Sequence, residues 1–284
     1  MALPRASGNA TLLAESLLYL KRVKLPASSV VLEPTEIAVK FERVSKFYGS
    51  FQALKDVDLE VRRGECFGLV GVNGAGKTTL IKCLLDFCET DSGHIEIFGS
   101  DHRASASRRR LAFLPEQFSP PYYLTGKDFL AYLLNLRGLR YDQAQAKAML
   151  ARLDLDPICL SRPVRSYSKG MAQKLGLVGC FLTQRELYVL DEPTSGLDPK
   201  ARALFKDLMR WLRSEFKTIF FTSHSLRDVA ETCDRMAITH DGRVFFVGTP
   251  SELRRQFDNN DLEQAFLRMI ACQRGPGPEI DRGS

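Results

Sequence analysis

No apolar run in this 284-residue sequence approaches the ~18 residues that a helix needs to cross a bilayer. The nearest is the stretch at 11–20 (TLLAESLLYL), which is short and carries Glu15. Its positive charges, Lys21, Arg22 and Lys24, follow the apolar residues instead of preceding them, which excludes the ordinary layout of a secretory signal. The expectation is a chain soluble by itself, so that any membrane role comes through a partner. No Cys-x-x-Cys pair occurs among the seven cysteines (66, 83, 88, 159, 180, 233 and 272), and the count is odd. That argues against a zinc site and against a disulfide framework, and for small buried hydrophobes in a reducing cytosol. Charge of one sign is scarce too: 40 basic against 34 acidic residues leave +6, too mild an excess to point to nucleic acid. No internal repeat is visible.

What is present is enough apolar material, 44% of the residues, for a proper core. Residues 1–36 read as an N-terminal extension in which Leu13, Leu17 and Leu20 share a helical face before Pro26 and Pro34. From Ile37 the pattern becomes strand-like. Asp56, Asp58, Glu60 and Arg62 alternate with Val57, Leu59 and Val61, as in a half-exposed antiparallel strand. A fully apolar run, CFGLVGV, then leads through glycines into the helical pattern KTTLIKCLLDF, the opening of an α/β unit. The segment from about 120 to 180 reads as mostly helical. Two more buried strands follow, ELYVLD at 186–191 and KTIFFTS at 217–223, then a hairpin turning on Asp241-Gly242. LEQAFLRMI reads as an amphipathic helix, and the closing GPGPEIDRGS as a disordered tail.

Two motifs carry chemistry. Gly71-Val72-Asn73-Gly74-Ala75-Gly76-Lys77-Thr78 matches G-x-x-x-x-G-K-[ST], with Thr79 following, between a buried strand and a helix as a phosphate-binding loop requires. The glycines let successive N–H groups face a β-phosphate, and the helix adds its positive end. Lys77 is placed to reach the β- and γ-phosphates, and the Thr78 hydroxyl to ligate Mg²⁺. The second motif is the apolar strand 186–190 ending in Asp191 and Glu192. Beside a phosphate loop, Asp191 is suited to hold Mg²⁺, directly or through water, and Glu192 to orient or deprotonate an attacking water.

With these motifs and Tyr167-Ser168-Lys169-Gly170-Met171 ahead of the second, residues 37–253 resemble ATP-binding cassette ATPases. The YSKGM stretch is similar to that family's signature, whose serine and glycine, here Ser168 and Gly170, contact the γ-phosphate held by the other subunit. The loop Ser195-Gly196-Leu197-Asp198 resembles the subunit-contact loop, and His224, closing FFTSH, the switch histidine that touches the γ-phosphate. Tyr48 in KFYG resembles the aromatic that stacks on adenine. The family has a glutamine joining γ-phosphate, Mg²⁺ and the membrane partner; here the sequence reads LPE, and either Glu116 or Gln117 fills that slot as phosphate and metal contact.

The resemblance implies an α/β fold: a P-loop NTPase (RecA-like) core with an antiparallel β subdomain and a helical subdomain at about 120–180. The nucleotide-binding domain would span 37–258, followed by a C-terminal helix and tail at 259–284. The implied activity is Mg²⁺-dependent ATP hydrolysis in a dimer of two copies closed around ATP. It would power a separate integral membrane permease, of the exporter kind, from the cytoplasmic face of the membrane, with no specific nucleic acid as partner. The other reading left open is a soluble ATPase of the same family acting in an assembly, ribosome or nucleic-acid complex.

Overall fold

The computed structural model describes residues 36–256 together with Glu263, Gln264, Phe266 and Arg268. The stripe of Leu13, Leu17 and Leu20 and the tail 275–284 lie outside the described residues. Two sheets organise the rest. Strands β1 (Ile37–Tyr48), β2 (Phe51–Arg62), β4 (Ser92–Ile97) and β5 (Ser100–Asp101) form an antiparallel sheet in the order β2-β1-β4-β5. On β2 the alternation read from the sequence holds, with Val57, Leu59 and Val61 buried and Asp56, Asp58, Glu60 and Arg62 exposed. One face of that sheet therefore turns to the core and the other to water.

The second sheet runs in the order β10-β9-β3-β8-β7-β6. Its members are β3 (Cys66–Val70), β6 (Leu111–Leu114), β7 (Leu187–Leu190), β8 (Thr218–Ser223), β9 (Arg235–His240) and β10 (Arg243–Gly248). β3, β6, β7, β8 and β9 pair in parallel, and β10 turns back antiparallel to β9. Every residue of β3, β7 and β8 is buried, as expected for strands covered on both faces. Their side chains divide by the two-residue period of a strand. Phe67, Leu69, Leu187, Val189 and Phe220 join the core shared with the antiparallel sheet and helix α1 (Lys77–Leu84). Cys66, Val70, Tyr188, Leu190, Ile219 and Phe221 join the larger core under the helices.

Those helices are the short α2 (Ser105–Arg109), then α3 (Gly126–Leu136), α4 (Gln143–Arg152) and α5 (Lys169–Leu182). After β7 come α6 (Pro199–Ser214), α7 (Leu226–Thr232) and α8 (Pro250–Gln256). α3 to α5 occupy the stretch expected to be helical, joined by two 3₁₀ turns, Pro157–Ser161 and Val164–Ser166. Within LEQAFLRMI the described positions are helical, and Phe266 packs against the larger core.

Register places the chemistry. Val70 pairs with Ser223, and Leu190 sits beside both Phe221 and Leu114. The chain leaving each of these parallel strands therefore emerges on one edge of the sheet. Gly71, Glu116, Asp191, Glu192 and His224 all lie within two residues of such a strand end, where open α/β sheets bind ligands.

Candidate active site

At that edge lies a cleft of about 650 Å³, lined by Tyr48, Phe51 and Ala53 from the β1–β2 hairpin, Val72–Thr79, Glu116, Glu192 and His224. The loop conformation explains its glycines. Gly74 and Gly76 have φ of 82° and 95°, in the left-handed region that side chains resist. Gly71 serves differently, since a Cβ there would lie 2.5 Å from the Thr239 carbonyl oxygen. α3, α4, α5, α6 and α7 each have a side chain capping the first turn: Thr125, Asp142, Ser168, Asp198 and Ser225. α1 follows Gly76 and has none. Its first N–H groups therefore face the cleft without a side-chain acceptor, and with the helix dipole they form an anion cradle.

Lys77 is buried, and its Nζ donates to the carbonyls of Gly71 at 2.8 Å and Val72 at 3.3 Å. The same ammonium lies 3.5 Å from Glu192 Oε1, while His224 Nδ1 contacts Glu192 Oε2 at 2.9 Å. Glu192 is 7% exposed and His224 65%, so a buried carboxylate links a buried cation to a ring open to the cleft. Glu192 also has a φ of 46°, a strained backbone for a non-glycine residue, of a kind that clusters at functional sites. Such a carboxylate is equipped to accept a proton from a water in the cleft, with Lys77 and His224 fixing its two oxygens.

Thr222 escaped the sequence reading. It is fully buried; its Oγ1 donates to Asp191 Oδ1 at 2.6 Å and accepts from the Glu192 N–H at 2.9 Å. One hydroxyl thus sets both carboxylates. The signal available in the sequence was a polar residue inside the otherwise apolar strand IFF-T-S. Phe51 and Ala53 also escaped; the strand-like pattern around them is legible, but not which of its residues turn toward the loop.

Of the other expected site residues, Gly71, Gln117, Ser168, Gly170, Asp191 and Asp198 fall outside this cleft's lining. Asp191 is buried and held by Thr222. Of the pair left open, Glu116 lines the cleft and Gln117 does not. Ser168 caps α5, its Oγ accepting from the Met171 N–H at 3.2 Å. Gly170 packs on the loop after β7, since a Cβ there would meet the Gly196 carbonyl at 3.2 Å. Asp198 caps α6, and the hydrogen bond from the Ala201 N–H holds its carboxyl below the usual range. Among the described residues no three His, Cys, Asp or Glu side chains converge as a metal cage. The donors near the phosphate loop, Thr78, Glu116 and Asp191, are all hard oxygens. That suits Mg²⁺, which keeps waters and phosphate oxygens around a protein ligand or two.

Comparison with known proteins accords with this geometry. The family model described as ABC transporter matches residues 54–195. The daunorubicin resistance ATP-binding protein DrrA3 of Streptomyces coeruleorubidus is 36% identical over 80% of this chain and 73% of its own length. The chain belongs to the ABC transporter ATP-binding family. The cassette is also 35% identical to an uncharacterized ABC transporter ATP-binding protein of Synechocystis, over 81% of the chain but only 66% of that protein. Nod factor export ATP-binding protein I of Paraburkholderia xenovorans is 33% identical over 77% of the chain and 73% of its own length. Among solved structures, an ATP-binding subunit of an ABC transporter superposes with TM-score 0.73 at 31% identity, over 82% of this chain and 99% of that one. A bacterial ABC transporter cassette, solved as a dimer, superposes with TM-score 0.67 at 21% identity over 74% and 98%, a likeness of fold. Among the described residues of the cassette, no helix is long and apolar enough to cross a membrane.

Proposed function

We propose that this cassette binds Mg²⁺–ATP and hydrolyses it between two copies of the chain, and that this cycle drives a separate integral membrane permease of the export type from the cytoplasmic face. The observation that carries the reading is a divided site. The anion cradle of α1, Lys77, Glu192 and His224 meet in one cleft, whereas Ser168 and Gly170, at the N-terminus of α5, do not line it. A second copy supplying its α5 terminus would complete the ring of donors around a γ-phosphate.

In that arrangement Tyr48 and Phe51 hold the base, and the loop N–H groups with Lys77 hold the phosphates. Glu192 takes the proton of the attacking water, and His224 keeps the carboxylate aimed. Thr78 would hold Mg²⁺ directly, with Asp191 and Glu116 acting through its waters; the ion supplies neutralisation of phosphate charge. Binding that favours the closed pair, followed by loss of the shared γ-phosphate, makes a two-state device able to move a partner. The names of the relatives support export, two of them denoting drug resistance and Nod factor export, and the dimeric neighbour supports the pair.

Glu192→Gln tests the core of the reading. With ATP the variant should sediment as a dimer and turn over slowly, and tagged protein drawn from native membranes should bring an integral protein with it. A variant that stays monomeric in saturating ATP removes the shared site, and isolation without any integral partner removes the permease.

A further inference from the structure

The backbone beyond the phosphate-loop helix brings two thiols together. Asp86 adopts a left-handed φ of 60°. The Phe87 N–H donates to the Lys82 carbonyl at 2.8 Å, and the Asp86 N–H to the Cys83 carbonyl at 3.1 Å. These two bonds close a Schellman motif, which reverses the chain so that residue 88 returns to the end of the helix it has just left. Cys88 Sγ accordingly lies 3.5 Å from Cys83 Sγ. The juxtaposition is set by hydrogen-bonded backbone, and the sulfurs need to approach by only ~1.5 Å to reach bonding distance.

This pair adjoins the nucleotide cleft. The Tyr48 hydroxyl donates to Cys88 Sγ at 3.8 Å, and the Lys46 ammonium lies 5.6 Å from the Tyr48 ring centre. Lys46 is held by Asp91 at 3.2 Å. Cys83 is fully buried; burial, then the hydrogen bond with Cys88, push its thiol up to about 12. Cys88 is half-buried, which makes it the sulfur that meets an oxidant from solvent.

We propose that Cys83 and Cys88 are a redox-modification site: a hydroperoxide converts them to a disulfide, and the turn of the Cys88 sulfur toward Cys83 draws it away from the Tyr48 hydroxyl and weakens nucleotide binding. The steps balance. The Cys88 sulfur attacks one peroxide oxygen, the O–O bond breaks, and the departing hydroxide leaves as water with the thiol proton. Cys88 is then a sulfenic acid. The Cys83 sulfur attacks it, the S–S bond forms as the S–O bond breaks, and the second hydroxide leaves as water with the Cys83 proton. Two thiols lose two electrons and one hydrogen peroxide becomes two waters. The 3.8 Å contact of the Tyr48 hydroxyl lengthens when the Cys88 sulfur turns toward Cys83, and the ring, left with Lys46 beside it, is held less firmly in the cleft wall.

The effect on binding rests on the proposed role of Tyr48; formation of the disulfide does not. The test uses the full chain, reduced and then treated with hydrogen peroxide. The tryptic peptide spanning 83–103 contains both thiols. It should become lighter by two hydrogens and resist alkylation until dithiothreitol is added. ATP affinity, measured without Mg²⁺ to prevent turnover, should fall about threefold to tenfold, the range one aromatic contact contributes, and recover with dithiothreitol. Affinity of Cys88→Ser should not respond to peroxide. The proposal is overturned if both thiols remain free, if Cys88 stops at an oxyacid with Cys83 unmodified, if the disulfide leaves affinity unchanged, or if Cys88→Ser responds like the parent. A reduced chain that fails to bind ATP overturns the proposed function along with it.

Discussion

Replacing Thr222 by valine removes one oxygen and keeps the shape of the side chain, so it isolates what that oxygen does. The Thr222 hydroxyl, fully buried, gives one hydrogen bond to a carboxylate and takes one from a backbone N–H. A bond to a charged group contributes ~1.5–3 kcal/mol and a neutral one ~0.5–1.5 kcal/mol, and both partners here stay buried after the change. The expected loss is therefore ~3 kcal/mol, or roughly 6–12 °C in Tm for a domain of this size. Activity should fall for a separate reason. The Glu192 N–H is the group Thr222 holds, and Glu192 has an unfavourable φ of 46°. Released, that residue relaxes toward an ordinary conformation and its carboxylate leaves the Lys77–His224 line. Losing ~1.4–2.7 kcal/mol of orientation lowers kcat about tenfold to a hundredfold. ATP affinity without Mg²⁺ should stay within about twofold, because no phosphate contact changes. Thr222→Ser should restore both stability and turnover. Steady-state kinetics at a temperature well below the variant's Tm decide the matter. A Thr222→Val protein that melts early yet turns over ATP at the parent rate refutes the positioning argument and leaves Thr222 a packing residue.

Gly71→Ala forces a Cβ against the Thr239 carbonyl at 2.5 Å and displaces the carbonyl that holds Lys77; isothermal titration should show ATP affinity reduced by more than about tenfold, with a stability cost of ~1–3 kcal/mol. Tyr48→Ala should weaken ATP binding about threefold to tenfold and leave inorganic triphosphate binding unchanged, since an aromatic ring in the cleft wall offers a base a stacking face and offers phosphate no charge. His102 is 3% exposed, and burial holds its imidazole below the usual value while Nδ1 bonds the Ile95 carbonyl. The unfolded chain therefore takes up this proton first as pH falls. The stability from neutral His102 is complete above about 6.5, the unfolded value, and is lost on going below it, by at most ~1.4 kcal/mol per pH unit. In His102→Leu the fall in Tm between pH 6.5 and 5 should be smaller than in the parent.

The parts legible in the sequence are those where one residue type has one physical reason to be present. Alternating charge on β2 marks a sheet with one wet face, and glycines between an apolar strand and a helical pattern mark the tight loop in which Gly74 and Gly76 take left-handed φ. Partnerships formed by register are harder to see. Thr222 and Asp191 are 31 residues apart and meet because β7 and β8 are neighbours in a parallel sheet, an arrangement set by long-range packing. Strand ends suffer similarly. ELYVLD suggests six residues of strand, but β7 is only Leu187–Leu190. Glu186 is engaged by Arg110, whose hydrogen bond and charge hold its carboxyl low with help from the charge of Arg63, and Asp191 by Thr222. The thiol pair was invisible for a different reason. A spacing of five residues fits no metal or redox motif, and only the left-handed turn at Asp86 folds Cys88 back.

The two uses of Ser168 bear on whether one copy is sufficient. Its oxygen already accepts from the Met171 N–H, which looks at first like an ordinary cap and a competing employment. A hydroxyl carries two lone pairs and one proton, however, so capping consumes an acceptor site and leaves the donor. Lys169 and Gly170, at the first two helical positions, also keep N–H groups outside the α5 ladder. This end of α5 therefore holds three donors and a helix dipole, all suited to an anion, yet the anion cradle of the same chain lies in a cleft that these residues do not line. Two anion-binding ends presented on different parts of one molecule can share one polyphosphate when a second copy is rotated against the first, and a two-fold axis builds both such sites at once. Ser168→Ala should therefore leave ATP binding by a single copy intact while abolishing ATP-dependent dimerisation, which sedimentation can read directly. If Ser168→Ala weakened binding to the isolated copy instead, α5 would have to reach its own cleft, and the division of labour between two chains would fail.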